Sequence, residues 1–166
     1  MDNWPEFRPG ALLKRLVARG VDFVVVGGIA MVAHGSARTT NDLDICYATD
    51  PANLEALGAV MVELGATLRG IADDVPFAPD ARTLRRTAIL TLTSPEGNID
   101  LLVGPVGSPG YDALRARAER VILDGVGVLI ASLDDLEAMK RAGGRDKDRL
   151  DLEEIAVIRR LRARGV

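Results

Sequence analysis

The chain has 166 residues, which is long enough for one domain to bury roughly two-thirds of the surface of its unfolded chain. Hydrophobic residues make up 48% and charged residues 27% of the sequence, close to the globular average, which excludes a disordered or fibrous chain. Cys46 is the only cysteine, so an internal disulfide and a zinc site built from cysteines are excluded. We therefore expect a single globular domain over residues 1–166, located in the cytoplasm.

Charge and hydropathy narrow the function classes further. Residues 1–10 lack a basic segment followed by an apolar one, and no apolar run approaches the ~20 residues needed to cross a bilayer, so we expect no secretion signal and no membrane contact. The net charge is −3, but residues 140–166 contain nine Lys or Arg against five Asp or Glu and carry +4. A solvated helix face explains this basic end in one interpretation, and an anion-binding flank explains it in the other.

The first half of the chain predicts alternating helices and strands. Leucines and valines at helical spacing predict a helix over residues 11–19, which Gly20 ends. Apart from Asp22, residues 21–26 are β-branched or aromatic and predict a buried strand that ends at Gly27-Gly28. The elements that follow are a short helix over 29–34, a strand over 43–47, a helix from Asp50-Pro51 to Gly65 and a loop over 71–83.

The second half predicts hairpins and then helices. Residues 86–93 and 98–103 alternate as two strands, and Ser94-Pro95-Glu96-Gly97 between them has the residues of a turn. The remaining predictions are a helix over 111–119, a strand or hairpin over 121–130 about Asp124-Gly125, a helix from Ser132 to Ala142 and a last helix over 146–164 with Leu150, Leu152, Ile155, Ile158 and Leu161 inward.

Two acids stand on the second predicted strand. Because side chains alternate along a strand, Asp42 and Asp44 point to the same face, while Leu43 and Ile45 point to the core. Two carboxylates on one face repel each other unless a divalent cation lies between them, and hard oxygen ligands favour Mg²⁺. Two solvent-facing acids on an amphipathic strand are the alternative explanation.

The glycine pair and a third acid add to this pattern. A strand that stops at Gly27-Gly28 and turns into a helix lets backbone N–H groups approach a phosphate with no side chain in the way, although a tight turn alone also needs glycine. Asp100 lies among apolar residues on a predicted neighbouring strand, where an isolated charge is costly unless it is paired or bound to a metal. The three acids together predict a carboxylate triad.

The order of these motifs resembles the nucleotidyltransferase superfamily typified by DNA polymerase β. Within it, the sequence is most similar to the AbiEii-type toxins and the small lincosamide-type antibiotic nucleotidyltransferases. The segment 139–148, followed by Leu150-Asp151-Leu152, resembles the lysine-rich helical segment of that branch. The likeness spans residues 21–158 and rests on Gly27-Gly28, a short helix through His34-Gly35, Arg38-Thr39, Asp42-Leu43-Asp44-Ile45 and Asp100. Many members have Gly-Ser where this chain has Gly27-Gly28, which leaves only backbone contacts to the phosphate.

The resemblance implies a two-metal mechanism. Asp42 and Asp44 would hold two Mg²⁺ ions, one binding a nucleoside triphosphate and the other sharing Asp100 and activating an acceptor hydroxyl for in-line attack on the α-phosphorus. Metal ligation is the first role of Asp100, and proton acceptance is secondary. The residues expected to contact the triphosphate are Arg38, Thr39, Lys140, Arg145 and Lys147. For Lys147 the alternative is a helix-surface pair with Asp151.

We therefore predict an α/β (α+β) nucleotidyltransferase fold, with a mixed sheet flanked by helices, C-terminal helices and the site at one edge of the sheet. The leading expectation is transfer of a nucleoside monophosphate to RNA, at a tRNA end, by a toxin whose partner would be an antitoxin protein. A small hydroxylated antibiotic is the second acceptor. A non-catalytic nucleotide-binding module with the same fold is the alternative from a different functional class.

Overall fold

The computed structural model describes residues 5–166, so the first four residues of the predicted domain and of the N-terminal segment lie outside the described residues. The described residues form one seven-stranded sheet and seven flanking helices. The strands are β1 (Phe23–Val26), β2 (Asp42–Tyr47), β3 (Thr67–Leu68), β4 (Ile89–Ser94), β5 (Gly97–Leu102), β6 (Glu119–Leu123) and β7 (Val126–Ile130). The helices are α1 (Pro9–Ala18), α2 (Gly27–His34), α3 (Pro51–Glu63), α4 (Ala81–Leu84), α5 (Tyr111–Arg117), α6 (Leu133–Gly143) and α7 (Asp146–Ala163).

The sheet is mixed, as the sequence predicted. Its strand order is β3-β4-β5-β2-β1-β7-β6, which places β2 in the middle. Strand β2 pairs parallel with β5, β1 pairs parallel with β7, and the other neighbours are antiparallel. The acids of β2 therefore lie on the central strand, and the prediction that the site sits at one edge of the sheet was wrong.

The local sequence explains why β1 and β2 form as they do. All four residues of β1 are buried, which accounts for its continuous run of apolar side chains. Exposure alternates over the first four residues of β2: Leu43 and Ile45 are fully buried, while Asp42 and Asp44 are partly exposed. The hydrophobic pattern thus sets which face of β2 carries the acids.

The predicted hairpin of β4 and β5 is confirmed, and of the two alternatives left for residues 121–130 the hairpin is the one found. The strands β4 and β5 are joined by Pro95 and Glu96, and the hydroxyl of Ser94 donates to the carbonyl of Gly97 at 2.9 Å. The strands β6 and β7 are joined at Asp124 and Gly125, whose φ angles of 48° and 78° are those of a hairpin turn with both central residues left-handed.

Several predicted boundaries need correction. Helix α2 begins at Gly27 and not at residue 29, so the glycine pair lies inside its first turn. Helix α5 ends at Arg117, and Glu119 already belongs to β6. The loop predicted over 71–83 contains the start of α4, and the short strand β3 was not predicted because two residues carry no periodic pattern.

Helix α7 buries only part of the predicted face. Ile155 and Ile158 are buried, but Leu150 and Leu161 are 54% and 43% exposed. The buried stripe of α7 also contains two acids, Asp148 and Asp151, at the three- and four-residue spacing of one helical face. Both acids line a cleft, and the apolar periodicity of the sequence could not predict their burial. No helix among residues 5–166 is both long enough and apolar enough for a membrane span.

Candidate active site

Three carboxylates meet on neighbouring strands at the centre of the sheet. Asp44 of β2 lies directly opposite Asp100 of β5 in the parallel register, and Asp42 lies two residues before Asp44 on the same face. One oxygen atom from each carboxylate lies within 4.8 Å of an oxygen of the other two. The predicted triad is therefore assembled, and its donor set of hard carboxylate oxygens fits a divalent cation such as Mg²⁺.

Two acids of this triad, Asp44 and Asp100, have raised pKa values. Burial raises the pKa of Asp44 from 3.8 to about 7, and the negative charges of Asp42 and Asp100 add to the effect. Burial also raises the pKa of Asp100, although the guanidinium of Arg69 opposes the shift. The structure thus concentrates more negative charge than its own neighbours neutralise, which is the condition that a bound cation relieves.

The glycine pair makes room for these acids. Gly27 has a φ of +65°, and a Cβ built on it would stand 2.9 Å from Cγ of Asp44 and closer still to Oδ2. A Cβ on Gly28 would stand 2.6 Å from Oγ1 of Thr40. The N-cap residue of α2, Val26, makes no side-chain capping bond among the described residues, and both glycines of this first turn line the cleft.

A cleft of about 740 Å³ lies over the triad, and its size suits a small-molecule ligand. All ten residues that the sequence analysis proposed for the site line this cleft: Gly27, Gly28, Arg38, Thr39, Asp42, Asp44, Asp100, Lys140, Arg145 and Lys147. The chain thus brings residues from five regions of the sequence to one surface. Their roles in binding or catalysis stay predictions.

The basic wall of the cleft is held by two buried acids. The Nζ atom of Lys140 lies 2.8 Å from Oδ2 of Asp151 and 3.6 Å from Oδ1 of Asp148, and Arg38 also pairs with Asp151. Arg145 pairs with Asp148 at 2.9 Å. Burial alone would raise the pKa of Asp148, but hydrogen bonds from the side chain and the backbone of Arg145 bring it below the usual value. Both acids therefore hold the cations in place.

The remaining predicted contacts differ in detail. The carboxylate of Asp151 pairs with Arg38 and Lys140 and not with Lys147, whose carbonyl oxygen instead accepts a hydrogen bond from Arg38 at 3.2 Å. Thr39 lines the cleft, but its neighbour Thr40 places a hydroxyl 3.4 Å from Oδ1 of Asp42.

Four residues that contact the predicted site residues were not predicted from the sequence. Asp148 and Asp151 lie three residues apart in the basic segment, and this spacing on one helical face was a signal that could have found them. Thr40 stands two residues before Asp42, and this short separation was a signal for a contact with Asp42. Arg69 had no signal, because it follows the unpredicted strand β3 and meets Asp100 only through the sheet.

No protein family model matches this sequence, and no curated protein matches it. Solved structures do match it. The lincosamide antibiotic adenylyltransferase LnuA, solved with lincomycin bound, superposes with a TM-score of 0.64 over 95% of this chain and 99% of that chain, at 14% identity. The antibiotic-resistance factor ANT(2″)-Ia superposes with a TM-score of 0.57 over 95% and 90% of the two chains, at 14% identity.

A third match is an antigenic nucleotidyltransferase-like protein from Paracoccidioides brasiliensis, with a TM-score of 0.53 over 89% of this chain and 72% of that chain, at 20% identity. At these identities the likeness concerns the fold. The resemblance expected from the order of the sequence motifs is thereby confirmed at that level, and this chain has the nucleotidyltransferase fold.

Proposed function

We propose that this protein is a nucleotidyltransferase that moves a nucleoside monophosphate from a nucleoside triphosphate to an acceptor hydroxyl. The observation that carries the proposal is the opposition of two charged groups in one cleft. The carboxylates of Asp42, Asp44 and Asp100 lie on the sheet, and a set of Lys and Arg side chains lies on the facing helices. A triphosphate bridged to carboxylates by divalent cations needs both groups.

The three carboxylates are the residues that would hold Mg²⁺, with two ions expected from the resemblance. When bound, Mg²⁺ would neutralise charge on the triphosphate and stabilise the charge that develops during transfer. Gly27 contributes by leaving space for the carboxylate of Asp44, and Thr40 orients Asp42.

The basic wall binds and orients the phosphates. Lys140, Arg145 and Arg38 are fixed by buried acids, so their charged groups are ordered before a triphosphate arrives. Lys147 lines the same cleft. The acceptor oxygen then attacks the α-phosphorus, the bond to the bridging oxygen breaks, and pyrophosphate leaves. Metal ligation is the first role of Asp100, and acceptance of the hydroxyl proton would be its secondary role.

The charge of the C-terminal segment and the apolar part of the cleft both bear on the identity of the acceptor. Three basic residues of the segment 140–166, Arg141, Arg159 and Arg162, pair with acids outside the segment, so its surface offers less free positive charge than its net charge of +4 suggested. One part of the cleft is instead apolar and includes Ile89, Leu102, Pro105 and Val106. We therefore favour a small hydroxylated molecule with an apolar part over RNA as the acceptor.

A transfer assay tests the proposal. The wild-type protein is incubated with each α-labelled nucleoside triphosphate, Mg²⁺ and, in separate reactions, lincosamides, aminoglycosides and total tRNA. We expect label on a small acceptor with the wild type and none with Asp42→Ala or Asp100→Ala. Label on tRNA would support RNA as the acceptor and the toxin role. Nucleotide binding without label on any acceptor would support a non-catalytic binding module.

The binding role of the basic wall is tested by a substitution at Lys140. Replacing Lys140 with methionine keeps the aliphatic stem but removes the charge, so the dissociation constant of the preferred triphosphate should rise about 10- to 100-fold. Calorimetry with a non-hydrolysable analogue measures it. Arg141→Met is the matched control, because Arg141 is 68% exposed and pairs with Glu137. Equal losses of affinity in both variants would contradict the role of Lys140.

A further inference from the structure

Arg69 reaches the triad from the edge of the sheet. It follows β3, and its backbone N–H donates to the carbonyl of Thr91 at 3.0 Å, which continues the pairing of β3 with β4. Its Nη2 donates to the carbonyl of Leu92 at 3.0 Å and to Oδ1 of Asp100 at 2.6 Å. Its Nη1 lies 3.9 Å from Oδ2 of Asp42. The guanidinium therefore contacts two of the three carboxylates.

The environment of Arg69 differs from that of a structural anchor. Its side chain is 22% exposed, and Nε is buried with no hydrogen-bond partner among the described residues. A buried donor without a partner costs free energy, so the position is not optimised for the guanidinium itself. The carboxylates of the triad hold the guanidinium of Arg69 in place, because Arg69 is the cation that forms ion pairs with them in the described structure.

A divalent cation at the triad needs the same oxygens. The carboxylate of Asp100 would have to serve both Arg69 and the metal, and the guanidinium charge would repel the metal. We propose that Arg69 is the internal counter-cation of the metal-free site and sets its affinity for divalent cations by competing for Asp100 and Asp42. The inference rests on the proposed function, since it assumes that the triad binds a metal.

The competition makes Arg69 a positioning residue. In the metal-free protein it limits repulsion among the acids and orients Asp100. A bound metal would share or take over the carboxylate of Asp100, and Arg69 would then lose part of its ion pairing. An anchor that only fixed β3 against β4 would behave differently, because its loss would destabilise the protein without strengthening metal binding.

Metal titration without nucleotide tests the inference. The free Mn²⁺ concentration is followed by electron paramagnetic resonance during titration of the wild type, Arg69→Gln and Arg69→Lys, and melting temperatures are measured with and without Mn²⁺. Glutamine keeps an N–H donor for the carbonyl of Leu92 but removes the charge. The control is Arg85→Gln, because Arg85 pairs with Glu55 at the surface with 50% and 70% of the side chains exposed.

We expect Arg69→Gln to bind Mn²⁺ about ten-fold or more tightly than the wild type, because a unit positive charge close to the metal is lost. Its metal-free form should melt at a lower temperature, and Mn²⁺ should raise that temperature more than in the wild type. Arg69→Lys and Arg85→Gln should stay close to the wild type in Mn²⁺ affinity.

Unchanged or weaker Mn²⁺ binding by Arg69→Gln would overturn the inference and leave a structural role. Absence of Mn²⁺ binding in every variant would overturn it together with the metal site. Tighter Mn²⁺ binding by Arg69→Gln with no nucleotidyl transfer by the wild type would support the inference and count against the proposed function alone.

Discussion

Replacing Asp44 with asparagine is expected to reduce nucleotidyl transfer on the order of 10³-fold or more, because the cations at the triad supply several kcal/mol of transition-state stabilisation. The same change should stabilise the metal-free protein at pH 8. The native protein holds a proton on Asp44 up to a pKa of about 7, whereas the unfolded chain releases it near 3.8. The free energy of unfolding therefore falls as the pH rises through this window, by about 2 to 4 kcal/mol at most.

Asparagine removes this pH-dependent loss, so the gain in stability should be present at pH 8 and absent below pH 3.8. Urea unfolding at both pH values in a metal chelator measures it, and Asp73→Asn, at an exposed loop position, is the control. Wild-type affinity for Mn²⁺ should also fall as the pH drops below about 7, because Asp44 must lose its proton to bind. An Asp44→Asn variant that loses stability equally at both pH values would contradict the raised pKa of Asp44.

Replacing Gly27 with alanine is expected to abolish metal binding and transfer. The new Cβ would overlap the carboxylate of Asp44, and the φ of +65° adds a left-handed penalty of about 1–2 kcal/mol for any residue with a Cβ. Gly20→Ala is the matched control, because Gly20 has a φ of +67° and nothing within 4 Å of its Cβ position. The difference between the two variants isolates the overlap with Asp44.

A double-mutant cycle strengthens this experiment. Gly27→Ala combined with Asp44→Ala removes the carboxylate that the new Cβ would overlap, so the stability of the double variant should return toward that of Gly20→Ala. The coupling between the two sites should be about 1–3 kcal/mol in urea unfolding. Additive losses would show that Gly27 is needed only for its backbone angle.

Local patterns predicted the elements that carry the site. The alternation of Asp42-Leu43-Asp44-Ile45 predicted which side chains share a face, because the period of two belongs to every strand. The turn residues Asp124-Gly125 indicated a hairpin as one of two alternatives, because Gly and Asp are favoured at the left-handed angles of such a turn. The predictions failed where contacts between residues distant in the chain determine burial. The buried face of α7 includes Asp148 and Asp151, because cations from α6, from the loop after α2 and from the start of α7 itself pair with them.

By itself the sequence determined the two acids on one strand face, the glycine break before them and a third acid within a later apolar strand. These features depend on neighbours in the chain. Only the tertiary structure decided that β5 pairs parallel with β2 in the register that sets Asp100 beside Asp44, and that Arg69 crosses β4 to reach them. Strand pairing joins residues that are distant in the chain, and its register depends on the packing of the whole sheet, which no local period encodes.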